Sequence, residues 1–140
     1  MLNQKIYKMK ITKIAYWSST SLIALLMLYS VYAYLMVPAV DQVFKHLGYP
    51  SYFRIELAIA KLIGAFVLIF PFSLRIKEWA YSGFTIVFIS AFIAHTIAGD
   101  PAVARIFPII SLALLMVSYI SINRLQRQEP GIEKNVSTTY

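Results

Sequence analysis

Three charged residues, Arg54, Glu56 and Lys61, lie within one largely apolar segment, and charge in such a place indicates chemistry. Glu56 and Lys61 belong to the segment 51–72, whose second half is uncharged. An ionisable residue inside an apolar span is costly, so it usually faces the protein interior, a ligand or a proton pathway. Because five residues of a helix leave two side chains about 140° apart, Glu56 and Lys61 are predicted to lie on different faces.

Small residues around Lys61 predict that this side chain faces another helix. Ala58 and Ala65 lie on the same helical stripe as Lys61, and Gly64 lies beside it. Small residues let a second helix approach closely in a membrane. Three roles stay open: a structural lysine bonded to carbonyls or tyrosine hydroxyls, a ligand or proton-pathway residue, or a lysine that snorkels to lipid headgroups.

Depth along three helices predicts one polar pocket. Counted at 1.5 Å per residue from the ends of their spans, Tyr32, Glu56 and His95 fall in one layer. Asp100 would lie at the rim of this pocket and Lys61 at its floor. A phenol, an acid and an imidazole at one depth could bind a polar head group or relay protons. The alternative is a satisfied polar cluster that holds helices together, with Glu56 paired to a nearby arginine or histidine.

Residue counts exclude several kinds of site. The chain has no cysteine, which excludes disulfides, thiolate-bound metals and c-type haem attachment. Its two histidines are His46 and His95, and His46 falls in a predicted loop. A haem held by two histidines inside the membrane is therefore not expected. No metal site is predicted, because no HxxxH or paired ExxH motif is present.

The composition is that of a membrane protein. The 140 residues are 59% hydrophobic and 14% charged, with a mean hydropathy of +0.67. Soluble domains contain about 25% charged residues and about 45–50% apolar ones. A domain of this size has too much surface to bury such an excess of apolar residues in its core. The protein is therefore predicted to lie in the lipid bilayer. The net charge of +7 is then explained by basic residues that flank the spans, and nucleic acid is not an expected partner.

Apolar runs predict an all-α fold, a bundle of four antiparallel membrane helices. Each run is long enough, at about 20 residues, to cross the hydrocarbon layer. A basic tail (1–13) precedes the membrane domain (14–123), and a disordered tail (124–140) follows it. Pro108 is placed in the first turn of the fourth span, where proline is tolerated. The predicted spans are 14–37, 51–72, 79–99 and 106–123.

The loop after the first span has a helical pattern of its own. Val40, Val43, Phe44 and Leu47 recur at the spacing of one helix face. Gly48 follows as a residue that can end a helix in a left-handed conformation. We expect a short amphipathic helix that lies in the outer interface, with an irregular loop as the alternative.

Basic residues indicate the orientation in the membrane, because cytoplasmic loops are enriched in Lys and Arg. Nine basic residues fall on one side of a four-span layout, against about three on the other. Both termini are therefore predicted in the cytoplasm of a multi-pass protein of the cell membrane, expected to be a bacterial inner membrane. The nine are Lys5, Lys8, Lys10, Lys13, Arg75, Lys77, Arg124, Arg127 and Lys134.

Several short motifs, taken in order, resemble the DoxX-like family of small four-span membrane proteins. They are FKHLGYP (44–50), Lys61 with Gly64, KEWAYSGF (77–84), AH (94–95) and GD (99–100). The resemblance covers about residues 15–121. The ionisable positions that match the family pattern are Lys61, Glu78, His95 and Asp100, and helix capping suffices to explain Glu78. The family offers no established catalytic residue to transfer.

The resemblance implies a role in membrane redox systems, because the wider DoxX group includes small subunits of thiosulfate:quinone oxidoreductases. We expect an accessory subunit of a quinone-linked oxidoreductase, not catalytic alone, with a membrane or peripheral redox protein as partner. One alternative is a binder or carrier of a lipid-like molecule such as quinone, which is the one cofactor considered. The other is a transporter, which four spans could form only as a homo-oligomer.

Overall fold

All regular structure in residues 2–128, which the computed structural model describes, is α-helical. Four long helices alternate with short connections, and one short helix fills the first loop. The first loop thus contains the helix that the spacing of its apolar residues predicted. The five helices are α1 (Leu2–Met36), α2 (Pro38–His46), α3 (Ser51–Ile69), α4 (Leu74–Ile97) and α5 (Ala102–Gln128).

The helices differ from the predicted spans at their ends. α1 begins at Leu2, so most of the predicted basic tail is helical. The first Gly or Pro of the chain is Pro38, so no helix-breaking residue interrupts its 35 residues, which extend about 52 Å at 1.5 Å each. α5 begins at Ala102, so Pro108 lies inside this helix rather than in its first turn. The helix also includes residues 124–128 of the predicted disordered tail; residues 129–140 lie outside the described part.

Three of the helices are long and apolar enough to cross a membrane. They are the segments Asn3–Met36, Leu74–Ile97 and Ala102–Gln128. The remaining predicted span, the second (51–72), corresponds to α3, which carries Arg54, Glu56 and Lys61 within 19 residues. Because charge is costly in hydrocarbon, the membrane character of α3 depends on where these three side chains lie.

Helices α2 and α4 end in the same way. Gly48 and Gly99 follow these helices with φ of +82° and +73°, a left-handed conformation that side chains disfavour. The N–H of Tyr49 bonds the carbonyl of Phe44, and the N–H of Asp100 bonds that of His95. These six-to-one bonds are those of a Schellman cap. A proline follows each cap and prevents helical continuation.

The four long helices contact one another in a ring. α1 packs against α3 and α5, and α4 packs against the same two helices. Ile23, Leu68 and Leu115 fill the interior with 0–1% of their surface exposed. α2 packs on α1 and α3, where Phe44 is buried. We call the end of the molecule that carries α2 and the α4–α5 turn (98–101) the α2 end.

A hydroxyl cluster joins three helices in the interior. Ser118 Oγ of α5 lies 2.6 Å from Thr20 Oγ1 of α1 and 2.6 Å from the Tyr81 hydroxyl of α4. All three side chains are buried. The cluster satisfies hydroxyls that would be costly to leave unpaired in an apolar interior.

Candidate functional site

Lys61 lies in the interior between α3 and α1. Its side chain is 5% exposed. The ammonium donates to Ser30 Oγ and to the Tyr34 hydroxyl, each at 2.8 Å. Ser30 and Tyr34 are four residues apart, so one face of α1 presents both hydroxyls. The Lys61 side chain thus faces another helix, as the stripe of small residues predicted.

The surroundings of Lys61 hold its partners in place. The Tyr34 ring packs edge-on against Phe44 of α2, with 5.0 Å between ring centroids. Arg54 of α3 donates to the backbone carbonyl of Tyr34. The arginine also lies near Asp41, whose carboxylate is 2.8 Å from the ammonium of Lys45. This bond from Lys45 lowers the pKa of the Asp41 carboxyl.

A groove of about 420 Å³ runs between α3 and α4, and Lys61 lies at one end of it. Trp79, 80% exposed, lies toward the other end. Gly64 lets the two helices approach, because a Cβ at this position would come within 2.6 Å of the Phe84 ring. Lys61 is the one charged residue that lines the groove. The site is therefore an apolar groove with Lys61 at one end, and the ammonium of this lysine is bonded to hydroxyls of α1.

A second polar cluster forms at the α2 end. His95 Nδ1 lies 2.6 Å from Asp100 Oδ2, and His46 Nε2 lies 3.1 Å from Asp100 Oδ1. An ionised carboxylate only accepts hydrogen bonds, so each imidazole N–H is the donor. The bond from His95 holds the pKa of Asp100 below its usual range; partial desolvation opposes this, and His46 adds to the lowering.

The residues of the predicted single pocket are distributed over separate places. His95 and Asp100 meet at the α2 end, and Lys61 bonds α1. Tyr32 is 60% exposed, and Glu56 is also exposed. The prediction that these five converge needs correction, because rise along a helix fixes depth but not direction. Tyr32 is two residues, or about 200°, from both Ser30 and Tyr34, and so points away from Lys61.

The comparison with protein families agrees with the motifs in the sequence. A model of the DoxX-like family matches residues 18–118. The chain belongs to the DoxX-like family. The match includes the groove, both polar clusters and α2, so all of these lie in the part of the chain that is shared with the family. Among curated proteins and among solved structures, nothing matches significantly.

Two polar residues of this DoxX-like protein were assigned other roles from sequence. His46 falls in a predicted loop and has no predicted role, yet it contacts Asp100. Lys77 was counted as a basic residue of a cytoplasmic turn, yet it is 5% exposed within α4. Its ammonium bonds the Tyr16 hydroxyl at 2.8 Å and the Leu68 carbonyl at 2.9 Å. The spacing of Lys77 from Tyr81 and Phe84 on one helix face could have indicated its burial.

Metal binding has no support in the part of the chain that the structure describes. No group of three or more histidine, cysteine, aspartate or glutamate residues there could hold a metal ion. The two histidines of the α2 end instead use their nitrogens as donors to Asp100. The described contacts within this cluster are hydrogen bonds.

Proposed function

We propose that this DoxX-like protein binds a lipid-like molecule of the quinone class in the groove between α3 and α4. The observation that carries the proposal is an apolar groove bordered at one end by a buried lysine. An ammonium group has three N–H donors, and the described contacts of Lys61 with Ser30 and Tyr34 use two. The third can serve a carbonyl oxygen of a ligand.

The depth of Lys61 selects the ligand class within this proposal. Lys61 is ten residues along α3, about 15 Å from its start and so near the middle of a hydrocarbon layer of about 30 Å. A charged head group would lose its hydration to reach this depth, at a high cost in free energy. A quinone has a neutral ring with carbonyl acceptors and an apolar tail, which suits a lipid-facing groove.

The proposal includes a membrane arrangement. We propose that α1, α3, α4 and α5 cross the cell membrane antiparallel to one another, with both termini in the cytoplasm. Support comes from the short α3–α4 and α4–α5 turns between helices that pack together. The interior placement of Lys61 removes one charge of α3 from the lipid. Reporter fusions after residue 75 and after residue 127 should both give cytoplasmic signals.

Quinone binding can be measured with the tryptophan of the groove. The chain has two tryptophans, so Trp17→Phe leaves Trp79 as the reporter. We expect decylubiquinone to quench its fluorescence saturably in detergent. Lys61→Met should weaken binding about tenfold, the equivalent of 1.4 kcal/mol. Leu62→Ala, an exposed neighbour outside the groove lining, is the matched control and should bind normally. Unsaturable quenching, or equal binding by Lys61→Met, would contradict the site.

The same site serves either of two cellular settings. An accessory subunit of a quinone-linked oxidoreductase would hold quinone for a redox partner, and a carrier would hold it alone. Native mass spectrometry after purification in mild detergent distinguishes them, because a subunit retains a redox protein in fixed ratio. A transport path is less supported within one chain, because Ile23, Leu68 and Leu115 fill the interior.

A further inference from the structure

The His46–Asp100–His95 cluster connects parts of the molecule that otherwise lie apart. α2 packs on α1 and α3, and no comparable packing joins it to α4 or α5 within residues 2–128. His46 is the last residue of α2, and Asp100 lies in the α4–α5 turn. Their contact of 3.1 Å therefore closes the α2 end across the molecule.

Backbone structure places the three side chains where they meet. The Schellman cap of α4 brings the Asp100 N–H back to the His95 carbonyl at 3.1 Å. The Asp100 side chain can then reach His95 of the same helix end. The second carboxylate oxygen stays directed to His46, whose helix ends at Gly48 in the same manner. The cluster thus forms where the capped ends of α2 and α4 lie next to each other.

We propose that this cluster is a proton-sensitive clasp, which holds α2 on the α4–α5 turn more firmly in mildly acidic than in alkaline surroundings. Free imidazole takes up a proton near pH 6.5. A hydrogen bond from a neutral imidazole to the ionised carboxylate then becomes an imidazolium–carboxylate contact, which adds attraction between opposite charges to the hydrogen bond. The clasp is lost again only where Asp100 itself becomes protonated.

The other charged groups at the α2 end are carboxylates and the basic side chains of lysine and arginine. On α2 and α3, Asp41 is paired with Lys45 and lies 3.7 Å from Arg54. Arg105 is in the first turn of α5, and arginine stays protonated. Glu56 has an exposed side chain on α3. Imidazole is the side chain whose charge ordinarily changes between mildly acidic and alkaline pH, and the cluster contains two imidazoles.

Spin labels can measure the clasp in the full chain, because no native cysteine competes for the label. Val43→Cys on α2 and Val103→Cys on α5 place two labels on exposed positions. We expect the distance distribution in nanodiscs to narrow from about pH 8 to about pH 5.5. The ratio of the narrow to the broad population should rise roughly twofold to fivefold, the range expected when a partly exposed ion pair is gained.

Variants separate the clasp from general effects of pH. His46→Gln keeps a hydrogen-bonding side chain that does not titrate, so its distribution should be nearly independent of pH. Lys45→Gln, an exposed neighbour, should respond as the unmodified sequence does. The proposal is overturned if the unmodified sequence has the same distribution at both pH values, or if His46→Gln keeps the full response. Circular dichroism confirms that each variant is folded.

Discussion

Two buried lysines of this DoxX-like protein have nearly the same surroundings and different significance. Lys61 and Lys77 are both 5% exposed, and each ammonium donates to two oxygens and lies near a tyrosine ring of α1. Lys77 bonds the carbonyl of Leu68, in the last turn of α3, which lacks a donor within its own helix. Lys61 bonds two hydroxyls and borders the groove. Burial of a charge is therefore not enough to mark a functional residue. It also matters whether the hydrogen-bond partners of the charged group would lack a donor without it.

The largest expected effect distinguishes the structural lysine. Lys77→Met removes the ammonium that donates to the Leu68 carbonyl and to the Tyr16 hydroxyl, which leaves the carbonyl only a long contact of 3.5 Å from the Tyr16 hydroxyl. A buried acceptor that loses its short hydrogen bond costs about 1–3 kcal/mol. We expect the free energy of unfolding in detergent to fall by about 2–3 kcal/mol, whereas quinone binding by the folded fraction stays normal. A greater loss of stability in Lys61→Met than in Lys77→Met would reverse the assignment of the two roles.

A smaller effect tests the groove beside Lys61. Gly64→Ala places a Cβ 2.6 Å from the Phe84 ring, so the ring must move into the groove. Overpacking of this kind costs about 1–3 kcal/mol, and we expect about 1–2 kcal/mol of stability together with weaker decylubiquinone binding. Gly83→Ala is the control for stability only, because nothing lies within 4 Å of its new Cβ but the residue itself lines the groove. Normal binding by Gly64→Ala would argue against occupation of the groove by quinone.

The tyrosine partners should give a still smaller contrast. Tyr34→Phe and Tyr16→Phe each remove one hydroxyl from a buried ammonium, at a cost of about 1 kcal/mol in unfolding free energy. Tyr34→Phe should also weaken quinone binding, because it loosens the position of Lys61, but Tyr16→Phe should not. Fluorescence titration and chemical unfolding of both variants measure the contrast. Equal binding by the two would remove the distinction between the lysine sites.

The smallest effects on stability and binding are expected at two residues that the sequence predicted in the site but whose side chains are exposed in the structure. Tyr32→Phe and Glu56→Gln should change stability by less than about 0.5 kcal/mol, because both side chains point outward. Neither should change quinone binding. A tenfold loss of binding in Glu56→Gln would show that this carboxylate belongs to the site after all.

The sequence predicted the helices better than it predicted the contacts between their side chains. Apolar spacing was sufficient for α2, and Gly48 ends it in a left-handed conformation as expected. The stripe of small residues correctly directed Lys61 inward. The prediction of a common pocket needs correction because it used only the position of Tyr32 and Glu56 along the helix axis. It did not consider the direction in which each side chain points around that axis. His46 could not be assigned, because its contact depends on how α2 lies across the molecule, which no local pattern specifies.

The hydroxyl cluster of Thr20, Tyr81 and Ser118 has a consequence for assembly. Apolar side chains gain little when they exchange lipid tails for protein, so hydrophobicity does not fix how far one membrane helix slides along another. The cluster can form in one alignment only, because a shift of one turn would move Ser118 about 5.4 Å from both partners. The hydrogen bonds among the three hydroxyls therefore fix how α1, α4 and α5 align along their axes.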